Sequence, residues 1–99
     1  MTQVGAGGIV MARMQRTTRF VRDYGKLTVE QQALADAKLC DLLANPRPPG
    51  LRFEKLKGYH RPDLYTIHVT GNYKISFAID GDTAILRRVA PHDEIDRAP

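Results

Sequence analysis

Tyr73, Ile75, Phe77 and Ile79 alternate strictly with Lys74, Ser76 and Ala78, and the run ends in Asp80-Gly81-Asp82. A period of two puts the first set on one face of a strand and the second on the other. An Asp-Gly pair between two such runs closes a hairpin, so residues 83–89 return antiparallel beside the first strand. The same pattern holds upstream. In residues 64–69, Tyr65, Ile67 and Val69 share a face, Thr66 and His68 take the other, and Thr70-Gly71-Asn72 is the turn. Residues 51–56 are expected to form a further strand, with a loop from Lys57 to Asp63. The second half of the chain therefore reads as about four consecutive strands.

The first half reads as helix. Phe20, Tyr24 and Leu27 fall at i, i+4 and i+7, one apolar stripe, and Gly25 weakens the segment's end. Thr28-Val29-Glu30-Gln31 is a capping box for a second helix reaching about Ala44. The run Asn45-Pro46-Arg47-Pro48-Pro49-Gly50 stops it, because prolines cannot continue a helix. The broad apolar face of this helix leads us to expect Cys40 as a core thiol. Residues 11–15 are a candidate short first strand. Residues 1–10, Gly-rich and uncharged, are expected to be a flexible tail ahead of a single domain over residues 11–99. Met11 and Met14 are candidate starts.

Helices followed by hairpin-connected strands predict an α+β fold, an antiparallel sheet of about four strands with an N-terminal helical hairpin packed on one face. Thr66, His68, Lys74 and Ser76 are then expected to look out from the opposite, polar face. A chain of 99 residues holds one core. The apolar fraction of 42% suits a folded domain, and no apolar run is long enough to span a membrane. One cysteine leaves no internal disulfide and fits a reducing cytoplasm. Fifteen Lys and Arg against 11 Asp and Glu give a net charge of +4, which favours an acidic or polyanionic partner. The three His and the single Cys lack ligand spacing, so neither a metal site nor a cofactor is expected.

Three segments carry a resemblance. Leu51-Arg52-Phe53-Glu54-Lys55-Leu56-Lys57-Gly58 leads into Asp63-Leu64-Tyr65-Thr66-Ile67-His68-Val69 and then Gly71-Asn72-Tyr73-Lys74-Ile75-Ser76-Phe77. Together they resemble the strand block of RelE/ParE toxins. Val89-Ala90-Pro91-His92-Asp93-Glu94-Ile95 is similar to that superfamily's His-Asp-Glu ending. The resemblance covers residues 18–95, with its specific motifs in the second half. It implies the toxin of a bacterial type II toxin–antitoxin pair, most simply an mRNA endoribonuclease acting on the ribosome to inhibit translation. The alternatives are a non-enzymatic inhibitor of DNA gyrase and an attenuated toxin acting mainly as antitoxin partner and co-repressor. The implied partner is a cognate antitoxin, acidic and partly disordered, that lays a helix across the groove between helical hairpin and sheet.

Cleaving RNA without a metal requires a base for the 2′-hydroxyl, cations for the charge on the phosphorane and an acid for the leaving 5′-oxygen. The resemblance implies Glu54 as base and His92 as acid. Lys74, together with Arg87 or Arg88, would stabilise charge, while Lys55, Lys57 and Arg88 would hold the RNA backbone. Each has a plainer competitor: a solvated strand residue for Glu54, a loop histidine paired with Asp93 or Glu94 for His92, and an edge-protecting lysine for Lys55 and Lys57. His68 on its strand reads as structural. Two residues depart from the family pattern. Lys74 stands where arginine is usual, exchanging a planar fork for a point charge. Asp96 stands where ribonuclease members often carry tyrosine.

Overall fold

A computed structural model describes residues 10–48 and 50–99, so all but Val10 of the expected tail lies outside the described residues. The chain runs β1 (Arg13–Arg16), α1 (Thr18–Gly25), α2 (Val29–Leu43), β2 (Glu54–His60), β3 (Asp63–His68), β4 (Tyr73–Asp80), β5 (Thr83–Pro91) and α3 (His92–Arg97). The sheet has five strands in the order β1-β5-β4-β3-β2. Four of them form the expected antiparallel series, but β2 begins at Glu54 rather than Leu51 and runs to His60, through most of the expected Lys57–Asp63 loop. The fifth, β1, is parallel to β5, with Arg13 opposite Thr83 and Arg16 opposite Leu86.

Local sequence accounts for the helices. Thr17 caps α1, its hydroxyl accepting from the Phe20 N–H at 3.1 Å and donating to the Leu86 carbonyl at 2.8 Å. One side chain thus starts a helix and fastens it to the sheet. At α2 the capping box forms: the Gln31 N–H donates to the Thr28 hydroxyl at 3.1 Å, and the Gln31 side chain accepts from the Thr28 N–H at 3.0 Å. The Tyr24 hydroxyl donates to both oxygens of Asp36, at 2.9 and 3.0 Å, which ties α1 to α2 and holds the phenol above its usual pKa.

Phe20, Leu39, Leu42, Ile67, Ile75, Phe77, Leu86 and Val89 form the core between the helical hairpin and one sheet face. Fully burying a side chain such as Phe77 contributes about 1.5–3 kcal/mol. Phe53, Tyr65 and Phe77 cluster beside it with ring centroids 5.4–5.9 Å apart. On α2 the buried residues are Ala35, Leu39 and Leu42, at i, i+4 and i+7. This stripe is narrower than expected, and Cys40 lies outside it. The thiol is exposed rather than buried in the core.

The second face also departs from expectation. Thr66 and Ser76 have no exposed surface, and Leu64, Ala78 and Ala90, in the rows on either side on the same face, are buried as well. The C-terminal helix α3, which the alternation of the strands does not announce, packs on β4 and β5 and buries Ile95. It contributes Asp96 to Lys74, a residue of this face, so the face is partly covered rather than open.

The sheet edge supplies one more fixture. β1 ends opposite Leu86, so the last residues of β5 have no β1 neighbour. The Asp23 carboxylate of α1 accepts there from the Val89 N–H at 3.2 Å, satisfying an edge amide. Arg88 donates to the same carboxylate at 2.9 and 3.2 Å, to Glu94 at 3.3 Å and to the Ala98 carbonyl at 3.3 Å. It thereby links α1 to α3.

Candidate functional site

Strand register brings two rows together on the face away from the helical hairpin. One crosses four strands as Glu54, Thr66, Ser76 and Arg88, and the next runs His68, Lys74, Ala90. Side chains directly opposite each other in such pairs lie about 4.5–5.5 Å apart at Cβ. His92 opens α3 immediately beyond β5, and its N–H donates to the Asn72 carbonyl at 2.7 Å. The turn before β4 and the end of β5 are thus joined beside Lys74.

His68 lies at the centre of this arrangement. It is half-buried, and burial lowers its pKa first, followed by the positive charges of Arg52 and Lys74. Glu54 acts in the opposite sense, and His92 adds to the lowering. Burial and the positive charges both favour the neutral imidazole, the form that can accept a proton. Sequence reasoning set His68 aside as structural. The available signal was its parity with Lys74 across a four-residue turn, which makes the two neighbours.

His92 and Lys74 share Asp96. The Lys74 Nζ lies 3.2 Å from Asp96 Oδ1, with the lysine side chain only 13% exposed. The His92 Nδ1 lies 3.1 Å from Asp93 and 3.8 Å from Asp96 Oδ2. Carboxylates at Nδ1 orient the ring and leave Nε2 for a substrate atom. Asp96 thus holds the Lys74 ammonium against the C-terminal helix.

The other expected residues are placed elsewhere. Arg88, expected to face RNA, is taken up by Asp23 and Glu94, with its side chain 11% exposed. Hydrogen bonding to Asp23, ahead of the opposing effect of burial, holds its pKa above the ordinary guanidinium value. Arg87 lines a cavity of about 180 Å³ with Thr17, Arg19, Arg88 and Pro99, away from Glu54, His68, Lys74 and His92. Its Nε is buried without a hydrogen-bond partner. Lys55 is in register with Tyr65, on the other face from Glu54, and lies 3.4 Å from Asp63. Lys57 is exposed on β2, where the register shifts between Lys55 and His60. Among the described residues no group of three or more His, Cys, Asp or Glu side chains could hold a metal ion.

Known proteins share this architecture. No family model matches the chain. Toxin RelE3 of Methanocaldococcus jannaschii is 51% identical over 39 residues, a match that spans 41% of that relative and 39% of this chain. A RelB–RelE antitoxin–toxin complex from Methanococcus jannaschii matches at 28% identity with a TM-score of 0.59, covering 86% of this chain and 99% of that one. The chain is therefore similar to RelE toxins, in sequence over that stretch and in fold over most of its length. A copper-bound mutant toxin from Helicobacter pylori has the same fold, with a TM-score of 0.70 at 22% identity over 86% of this chain and 99% of that one. So does the archaeal RelE–RelB complex from Pyrococcus horikoshii, at 0.65 and 18% over 83% and 96%. These likenesses agree with the α+β architecture of the chain.

Proposed function

We propose that this chain is the toxin of a type II toxin–antitoxin pair and cleaves mRNA on the ribosome. The observation that carries the reading is the convergence of a half-buried histidine, a lysine and a second histidine on one sheet face of a RelE-type fold. The toxins among the similar proteins support the toxin role.

In this reading His68 takes the proton of the RNA 2′-hydroxyl, and the resulting alkoxide attacks the adjacent phosphorus. His92 protonates the leaving 5′-oxygen, and Lys74 stabilises the phosphorane once it exchanges Asp96 for phosphate. His68 replaces Glu54 as base on physical grounds. Glu54 is exposed at the sheet edge, whereas His68 is half-buried directly across from Lys74. Lys57 remains an exposed contact for the RNA backbone. An acidic antitoxin segment is proposed to dock between hairpin and sheet, where Met14, Arg16, Tyr24, Leu39 and Leu43 line a cavity of about 350 Å³. A cytoplasmic setting follows from a ribosomal substrate, and among the described residues no helix is long and apolar enough to cross a membrane.

The base assignment predicts the pH profile. Activity requires neutral His68, so it falls as pH drops through a pKa lying below the ordinary value of about 6.5. His68→Gln should lose that acid limb along with most of the rate. An acid limb that stays unchanged in His68→Gln assigns the base elsewhere.

One observation favours a second reading. Lys74 arrives paired with Asp96, which suits a chain that acts by binding a protein such as gyrase, or survives mainly as an antitoxin partner. A short induced pulse in growing cells, with primer extension on total mRNA, separates the two. New 5′ ends within coding sequence are expected. Growth arrest with intact mRNA would turn the assignment to the binding reading.

A further inference from the structure

We propose that Arg52 is the guanidinium that grips the scissile phosphate in this site, a role that rests on the ribonuclease reading above. Neither the strand alternation nor the family motif singles this residue out.

Its backbone is the first observation. Arg52 has φ +56°, the one non-glycine residue in the left-handed region among the described residues. An L residue is disfavoured there, whereas glycine is at ease. Such a conformation persists when its surroundings impose it, and such positions cluster at functional sites. Here both neighbours are anchored. Leu51 is 3% exposed, and Phe53 packs on Tyr65 and Phe77. Between these anchors the Arg52 side chain is left exposed.

Its position is the second. The Leu51 carbonyl accepts from the His68 N–H at 3.1 Å, which sets Arg52 against the base side of the site, and Glu54 follows in register with Thr66. Among the charged groups acting on His68, Arg52 comes first.

Charge bookkeeping across the site is the third. Lys74 is paired with Asp96, Lys55 with Asp63, and Arg88 with Asp23 and Glu94. Arg87 lies in a separate cavity. Arg52 is in no ion pair among the described residues, so its five N–H donors are free. A guanidinium offers phosphate two parallel hydrogen bonds, which an ammonium cannot. Lys74 at the usual arginine position therefore does not leave the site without a fork, because Arg52 supplies one from the segment ahead of β2.

Glycine provides an unusual test, since it relieves the backbone while removing the guanidinium. Arg52→Gly should melt at or above the wild-type temperature, yet cleave ribosome-bound mRNA about 10²–10³-fold more slowly, as for loss of one transition-state donor. Arg52→Lys should recover only part of that rate. With an uncleavable 2′-O-methyl RNA oligonucleotide, the logarithmic salt slope of binding should shrink by about one in Arg52→Gly. Unchanged cleavage and salt slope in Arg52→Gly would overturn the proposal, as would an Arg52→Gly protein that fails to fold. Wild type that binds the oligonucleotide but cuts no mRNA would remove the ribonuclease reading and keep Arg52 as an RNA contact, provided its salt slope shifts. Wild type that neither binds nor cuts would remove both.

Discussion

His92→Ala is expected to slow mRNA cleavage by about 10²–10⁴-fold, the usual contribution of a positioned acid or base. The loss should fall on kcat, because the imidazole is assigned a proton transfer made in the transition state and no hold on ground-state RNA. Structure should survive the change. The His92 side chain is 43% exposed, and its ion-pair partners among the described residues are Asp93 and Asp96, both half or more exposed. The backbone bond to the Asn72 carbonyl does not depend on the side chain. Surface substitutions of this kind shift stability by about 0.5 kcal/mol or less, so Tm should stay within about 4 °C. Single-turnover kinetics with a melting curve on the same preparation check both halves. A loss below about tenfold would remove His92 as the acid, and a collapse in Tm would make it a structural residue.

Asp23→Ala should have the largest effect on stability. Asp23 and Arg88 have side chains 8% and 11% exposed, and the carboxylate also accepts from the Val89 N–H. Removing it leaves the edge amide without its acceptor and the buried guanidinium with only Glu94 and the Ala98 carbonyl. Breaking a buried pair from one side costs about 3–5 kcal/mol, a large share of the roughly 5–15 kcal/mol available to a domain. A fall in Tm of more than about 12 °C follows for a chain this size. Glu94→Ala should cost less than about 1 kcal/mol, since that carboxylate is 47% exposed. Asp23→Leu combined with Arg88→Met should recover most of the stability, because well-packed apolar groups replace such pairs at little cost. Urea unfolding of the four proteins decides the matter. A loss under about 1 kcal/mol for Asp23→Ala would show that Thr17 and the core hold α1 without the ion pair.

The strand block was legible because alternation is a strong signal. Tyr73, Ile75, Phe77 and Ile79 face the helical hairpin as their parity requires, and Asp80-Gly81-Asp82 turns the chain. The α2 capping box and its proline-rich stop were equally plain. Long-range pairing was not. Nothing in Arg13–Arg16 announces a parallel partner, and the fifth strand depends on a register with Thr83–Leu86. Helix α3 escaped notice because Ile95 is its one buried residue, too little for a periodic signal. That helix changes the second face. It buries Ile95 and brings Asp96 to Lys74, whereas alternation alone left Thr66, Ser76 and Lys74 facing outward.

Much the same limit applies to the site. Lys74 and His92 enter the proposed site through the motif that carries them, and Glu54 shares the sheet face of Lys74. The proposed roles of His68 and Arg52 are not legible in the sequence, because a lone strand histidine and a loop arginine look ordinary until register and φ are known. Arg88 was misjudged for the converse reason. A basic residue on a terminal strand reads as solvent-facing, and only the end of β1 opposite Leu86 makes room for Asp23 to engage it.

The most direct test of the central claim is the chemistry of the cut ends. Purified protein, programmed ribosomes and an end-labelled mRNA would be combined in a single-turnover reaction, alongside the same mRNA carrying one 2′-deoxynucleotide at the cut site. Cleavage to a 2′,3′-cyclic phosphate and a 5′-hydroxyl, blocked by the deoxynucleotide, is the predicted result, because His68 is assigned to activate that 2′-hydroxyl. Product bearing a 3′-hydroxyl, full cleavage of the deoxy-substituted message, or intact mRNA throughout would contradict it.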